Sequence, residues 1–194
     1  MNKTVKDIPM TPNQLFILSL RAYQWWESVF VQAKRFFDAL EKDSGGTPWD
    51  ENSPHNLMVA ERMFLITALH HVVEAVEKLN AELLRNNDDS LDNVIQAIDA
   101  VVPIQNIKDL RNMNEHSIEY LVEKGHKQDS FRTTIQTDHY NLLTTASWTI
   151  VLGDEQKVMI GNVPVDKLLV IMKEQTPIVR QKTKEIFENS LKRQ

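Results

Sequence analysis

The segment LRNMNEHSIEYL, residues 110–121, has the residue spacing of an amphipathic helix. At about 100° per residue, one side of that helix can enter a hydrophobic core and carries Leu110, Met113, Ser117, Ile118 and Leu121. The opposite side spans an arc of roughly 140°. It carries a guanidinium, an amide, an imidazole and two carboxylates, from Arg111, Asn112, His116, Glu115 and Glu119. Such a face is either a solvated surface with ordinary ion pairs or a functional site.

The bulk composition is that of a globular protein. The chain has 194 residues, of which 42% are hydrophobic and 25% charged, so a single domain over residues 1–194 is expected. The chain has no cysteine, which excludes disulfides and cysteine-based metal sites and fits a reducing cytoplasm. A net charge of -5 argues against nonspecific coating of nucleic acid, although it leaves room for a local basic pocket. The chain shows no signal-peptide core and no run of about 18 apolar residues, so we expect a cytoplasmic protein that does not span a membrane.

Two long helices are predicted before this segment. Thr11-Pro12 and Ser53-Pro54 each place a capping hydroxyl before a proline, which is the signature of a helix start. The first helix is predicted to run to about Lys42, because its apolar residues recur with a helical period. The second is predicted from about Pro54 to Arg85. It is apolar over so wide an arc that it should be central, with neighbours on several sides.

Shorter helices are predicted around Pro103. One runs from about Leu91 to Val101, and the helix that carries residues 110–121 runs from about Ile104 to Glu123. Gly125 is expected to cap the second of these, since glycine readily adopts the left-handed conformation. We refer to this second helix as the motif helix.

The chain changes character after Gly125. Residues 131–137 have β-type composition, and strands at residues 146–152 and 157–160 are predicted to form a β-hairpin around Gly153-Asp154-Glu155. A last helix is predicted from Val165 to about Lys192, with a kink at Pro177. We therefore predict a mainly α fold, a helical bundle of four to five helices with a C-terminal β-hairpin followed by a last long helix. Residues 11–125 would form the helical core and residues 126–194 the appendage.

Other common chemical motifs are missing from the sequence. There is no glycine-rich phosphate loop, no HExxH and no GxSxG. His70 and His71 are adjacent on the second helix, where they should point about 100° apart and not easily share a metal ion. We therefore predict neither metal ligands nor a cofactor.

The spacing Arg-Asn-x-x-x-His, formed by Arg111, Asn112 and His116, resembles the signature of the HEPN superfamily, the higher eukaryotes and prokaryotes nucleotide-binding domains. Members of that family are helical bundles with the motif on a late helix, which is the order predicted here. The motif helix that ends at Gly125 is followed by a strand, the Gly153-Asp154 turn, a second strand and a final helix. This order also resembles an extension that recurs in bacterial HEPN-like proteins. The resemblance covers about residues 11–125 and treats the rest as an appendage.

The resemblance implies an endoribonuclease of the toxin or defence type that uses no metal and cleaves RNA through its 2′-hydroxyl. Active members dimerise so that two copies of the motif face one cleft. His116 would transfer the proton, Arg111 would hold the phosphate, and Asn112 would orient the phosphate or the histidine. The implied partners are a second copy of the chain, an RNA substrate and an antitoxin-like protein.

Glu115 and Glu119 keep other interpretations open. An acidic rim repels phosphate, and these carboxylates are alternatively ion-pair partners of Arg111. Many HEPN-like proteins are inactive relatives, so the alternative function is a non-catalytic, dimeric interaction or scaffold module. A third interpretation is an unrelated helical protein whose polar face is only solvated.

Overall fold

The fold is a mainly α helical bundle with a small β region before the last long helix, as predicted. The computed structural model describes residues 9–43, 53–116, 124, 133–136, 141–144, 149–152 and 157–192. Its helices are α1 Pro12–Lys42, α2 Pro54–Leu84, α3 Asp92–Val101, α4 Ile104–Glu115 and α5 Val165–Leu191. Its strands are β1 Thr133–Gln136, β2 Asn141–Thr144, β3 Thr149–Leu152, β4 Lys157–Ile160 and β5 Val163–Pro164. None of the described helices is both long and apolar enough to cross a membrane.

Contacts within the chain group it into two compact units. One consists of Met1–Ala97 with Glu174–Gln194, and the other of Ile98–Lys173. The first therefore contains α1, α2 and the C-terminal part of α5, while the second contains α4 and the strands. The assignment of residues 1–194 to one domain, with a core at 11–125, stays a prediction.

Both long helices begin where the sequence predicts. The hydroxyl of Thr11 accepts a hydrogen bond from the backbone N–H of Gln14, and the Gln14 side chain accepts one from the backbone N–H of Thr11. This reciprocal capping box satisfies two N–H groups that the first turn leaves without helical partners. At α2, the Ser53 hydroxyl accepts from the backbone N–H of His55 at 3.2 Å. A proline begins each helix, where its missing N–H costs nothing.

α1 and α2 pack side by side in opposite directions. Trp25 contacts His71, and ten residues later along α1 Arg35 lies near Glu61, ten residues earlier along α2. The large side chains between them are buried, and they include Trp26, Phe36, Leu65 and Leu69. Such an apolar layer is the main stabilising contribution in a helical unit of this size.

The C-terminal part of α5 packs on this helix pair. The Trp26 indole donates a hydrogen bond to the Thr176 hydroxyl at 2.9 Å, and the rings of Phe16 and Phe187 lie 5.2 Å apart. α5 is continuous through Pro177. The kink predicted at Pro177 stays a prediction.

Lys182 of α5 forms two ion pairs in this unit. Its ammonium lies 3.0 Å from an Asp88 carboxylate oxygen and 2.9 Å from one of Glu185. Burial alone would lower the pKa of Lys182, but hydrogen bonds to Glu185 and Asp88 raise it. Burial alone would raise the pKa of Asp88, but hydrogen bonds from Ser90 and Lys182 lower it. The hydrogen bond from Lys182 likewise lowers the pKa of Glu185.

Replacing Lys182 with methionine removes both ion pairs and should lower the free energy of unfolding by about 1 kcal/mol at pH 7. The loss should not be larger, because both carboxylates are exposed enough to regain water. A carboxylate with a lowered pKa stabilises the fold above its ordinary pKa and loses that contribution as the pH falls through the lowered value. The difference between wild type and variant should therefore shrink below about pH 4. Urea unfolding at pH 7 and pH 3 measures it. An equal difference at both values would contradict these ion pairs.

The helix α4 buries one side, and the backbone N–H of its first residue has a side-chain partner. The backbone N–H of Ile104 donates to the Asp99 carboxylate at 2.9 Å, next to Pro103 at the N-cap. The buried side chains recur with a helical period and are Ile104, Ile107, Leu110 and Met113. The apolar side predicted for the motif helix is therefore confirmed as far as the structure describes it.

The end of α4 corrects the predicted boundary. The helix ends at Glu115 and not near Glu123, and His116 follows with φ -104° and ψ 30°, outside the α-helical region. The last turn has no basic residue and places Glu115 at the negative end of the helix dipole, which weakens helical continuation there. Residues 117–123 and Gly125, to which the predicted end and cap belong, lie outside the described residues.

The β region contains the predicted hairpin and more. β3 pairs antiparallel with β4, with Thr149 opposite Ile160. β5 adds to β4 through a two-residue turn in which Gly161 has φ 57°, a value that glycine adopts without a steric penalty. The β-type composition at residues 131–137 corresponds to β1, which pairs with β2, a strand that the sequence did not predict. Residues 146–148 and 153–156 lie outside the described residues.

Candidate functional site

The three predicted site residues lie at the end of α4. Leu110 and Met113 are buried on one side of the helix. On the other side Asn112 and His116 are exposed, and the Arg111 side chain keeps 34% of its surface accessible. Since burial of the apolar side fixes how the helix is turned, Arg111 and Asn112 are presented away from the buried residues, and His116 follows directly after the helix.

Arg111 is engaged within its own helix. One terminal nitrogen of its guanidinium lies 2.5 Å from a Glu115 carboxylate oxygen, and the other donates to the Asn112 amide oxygen at 3.4 Å. The pair places the cation before the anion along the helix, which is the less favourable order for the helix dipole. Both side chains are at least one-third exposed, so water and salt screen the interaction. A stronger anion can therefore displace Glu115 from Arg111.

His116 is attached to the same turn through the backbone. Its N–H donates to the Asn112 carbonyl oxygen at 3.0 Å, so the two residues are one turn apart as the sequence predicts. Because its own backbone has left the helical region, its side chain projects from a helix end and not from a helix side. Glu119, the second carboxylate predicted beside the motif, lies outside the described residues.

This group of residues has the functional groups for phosphate chemistry. A planar guanidinium binds two phosphate oxygens at once, and an exposed imidazole transfers protons near neutral pH. Asn112 supplies an amide within reach of the guanidinium. Together they form a polar site. In the last turn of α4, the acidic residue beside this site is Glu115.

A second group of candidate residues lies on α2 and was missed by the sequence analysis. The side chains of His70, His71 and Glu74 each place one metal-ligating atom within 4.8 Å of the others. The prediction that the adjacent histidines leave the helix about 100° apart and do not easily share a metal ion stays a prediction, although a nitrogen of each lies within 4.8 Å of the other. Glu74 follows His70 by four residues, so around the helix axis it lies about 40° from His70, while His71 lies about 100° from it. Glu74 therefore projects between the two histidines, one turn further along the helix. That position was the signal in the sequence.

Comparisons of the chain with protein-family models, with curated proteins and with solved structures found no match.

Proposed function

We propose that the protein is a HEPN-like, metal-independent endoribonuclease of the toxin or defence type that acts on RNA in the cytoplasm. The observation that supports this proposal is the exposure of Arg111 and Asn112 on the polar side of α4 together with that of His116 directly after the helix end. These are the residues of the motif resemblance. The opposite side of α4 is buried, so the helix fixes the direction of Arg111 and Asn112, while His116 follows at its C-cap.

The chemistry follows from the groups present. RNA carries its own nucleophile, the 2′-hydroxyl next to each phosphate. An imidazole such as that of His116 removes the hydroxyl proton while the oxygen attacks phosphorus. The bond from phosphorus to the 5′-oxygen breaks, and a protonated imidazole supplies the proton that this oxygen takes up. The products are a 2′,3′-cyclic phosphate and a 5′-hydroxyl.

Arg111 would stabilise the charge that develops on the phosphate oxygens. A guanidinium is permanently protonated and offers two parallel N–H donors to such oxygens. Its present partner Glu115 would have to be displaced, and the exposure of that ion pair makes the exchange inexpensive. Asn112, hydrogen-bonded to the guanidinium, would keep its orientation.

The reaction needs one group to accept a proton and another to donate one, while each chain contributes one motif histidine. A two-fold homodimer that brings two copies of the α4 site to one cleft supplies both groups. The homodimer is therefore part of the proposal. An antitoxin-like protein that covers the site is the partner expected of a toxin.

The ion pair between Arg111 and Glu115 favours a second candidate function. A guanidinium already neutralised by a carboxylate suits a protein-protein contact surface better than a phosphate site. The protein would then be a non-catalytic, dimeric HEPN-like interaction or scaffold module. It would cleave no RNA.

Purified protein should cleave single-stranded RNA in buffer that contains EDTA, because the 2′-hydroxyl, the imidazole and the guanidinium need no metal. The upstream fragment should end in a 2′,3′-cyclic phosphate at its 3′ end and the downstream fragment should begin with a 5′-hydroxyl, which mass spectrometry of the fragments identifies. A pool of random-sequence oligonucleotides avoids assuming a target, and the matching DNA oligonucleotides are the control because they lack the 2′-hydroxyl. Cleavage of the DNA, or 3′ fragment ends other than cyclic phosphate and its hydrolysis products, would contradict the mechanism.

A further inference from the structure

We propose that His70, His71 and Glu74 of α2 form a binding site for a divalent first-row transition metal ion, with Zn²⁺ as the principal candidate. The three residues lie in the unit that contains α1 and α2. The site is independent of the proposed ribonuclease chemistry on α4. We refer to these three residues as the α2 triad.

The atoms of the α2 triad are spaced as ligands of one ion. His70 Nε2 lies 3.2 Å from Glu74 Oε2, and His71 Nδ1 lies 3.9 Å from the same oxygen. Two ligands that each bind tetrahedral Zn²⁺ at about 2.0–2.1 Å are about 3.4 Å apart. The observed nitrogen-to-oxygen separations lie on either side of that value, and all three atoms lie within 4.8 Å of one another. Rotation of the imidazole rings towards each other would bring the two nitrogens to coordination distance.

Neighbouring side chains restrict both imidazoles before any ion binds. The His70 side chain is only 10% exposed, so its neighbours restrict its rotation. The His71 ring stacks on the Trp25 ring with centroids 4.5 Å apart and planes 31° from parallel. Glu74 is 55% exposed and is the ligand that can adjust. Side chains restricted in this way lose less conformational freedom when they rotate to bind a metal ion.

The type of ligand selects the type of ion. Neutral imidazole nitrogens suit zinc, copper and nickel, while magnesium and calcium prefer oxygen ligands alone. The triad provides two nitrogens and one carboxylate, and three protein ligands with an open fourth position are typical of accessible zinc sites. The partial exposure of His71 and Glu74 leaves that fourth position open to solvent.

The same geometry has a simpler interpretation, in which Glu74 only accepts a hydrogen bond from His70. The two interpretations differ in what zinc does to the protein. An ion that binds the folded state alone stabilises it by mass action, and at about 100 times its Kd it should raise the Tm of a chain of this size by about 5–10 °C. A hydrogen bond alone gives no such response.

Isothermal titration of Zn²⁺ into protein that carries no histidine tag and has been freed of metal should give one site per chain. His71→Ala and Glu74→Gln should each weaken Zn²⁺ binding by more than about 10-fold. A loss of about 10-fold is already seen when a residue that only supports a metal ligand is changed. Both residues are partly exposed, so the variants should fold. His55→Ala is the matched control. His55 has the same 38% exposure as His71 and lies beside one carboxylate, that of Asp43, but it is not in the α2 triad.

Trp25 provides an independent signal. Its ring is stacked on a proposed ligand, so Co²⁺ at the site should quench its fluorescence, and Trp25→Phe should remove most of the quenching. Mg²⁺ should neither bind nor quench. Wild-type affinity for Zn²⁺ in both triad variants, or an equal loss in His55→Ala, would overturn the proposal. The cleavage assay contains EDTA, which removes divalent metal ions. Neither outcome of the zinc experiment therefore decides whether the protein cleaves RNA.

Discussion

Alanine in place of His116 should slow RNA cleavage by about 10²–10⁴-fold, the amount that a positioned proton-transfer group contributes. Alanine in place of Arg111 should slow cleavage by about 10²–10³-fold, because losing a single hydrogen-bond donor to the developing oxyanion lowers the rate by that amount. His116 is exposed and Arg111 partly exposed, so stability should change by no more than about 1 kcal/mol. Single-turnover rates with EDTA present measure the first effect, and urea unfolding measures the second.

Two further variants sharpen this experiment. Arg111→Lys keeps the charge but not the planar fork, and it should recover only part of the activity. Glu115→Gln frees the guanidinium from its carboxylate partner and should strengthen RNA binding. Undiminished cleavage in His116→Ala would end the mechanism even if the fold assignment holds. No cleavage by wild type, together with a dimer weakened by Arg111→Ala, would favour the interaction module.

The starts of α1 and α2 are readable from the sequence because local chemistry determines them. Thr11 and Ser53 supply the acceptor that the first N–H groups of a helix need, and each precedes a proline. Those requirements are satisfied within a few residues of the start, so tertiary packing does not override them. The hairpin of β3 and β4 was readable for a similar reason, since turn residues separate two β-forming segments.

Features that depend on weaker or longer-range effects were not predicted. The apolar period of the motif helix continues past residue 116, yet α4 ends at Glu115, because periodicity does not report the energetics of a helix end. β2 has only four residues and two of them are polar, so its composition alone does not separate it from a loop. Its strand character is defined by pairing with β1.

The candidate sites divide in the same way. The polar side of α4 was predictable because one helical projection places Arg111, Asn112 and Glu115 opposite Leu110 and Met113. The α2 triad was not predicted. The projection places Glu74 between the two histidines, but it compares only the directions in which side chains leave the helix and does not show which atoms meet. His70 and His71 leave about 100° apart. Rotation of their side chains then brings different ring nitrogens, Nε2 and Nδ1, towards one carboxylate.

Replacing Trp26 with alanine should destabilise the protein by about 3–5 kcal/mol, the usual cost of deleting a large buried aromatic side chain. Trp26 is fully buried, and its indole N–H donates to Thr176 on α5, so the variant loses a packed ring and a contact between two helices.

Trp25→Ala is the matched control one residue away. That ring is only partly buried and stacks on His71, so its loss should cost about 1–2 kcal/mol. Urea unfolding of both variants at one pH measures the difference. Equal costs would contradict the burial of Trp26. A cost near 4 kcal/mol would be a large part of the roughly 5–15 kcal/mol that stabilises a typical domain, and it would show that the long helices depend on this layer to stay folded.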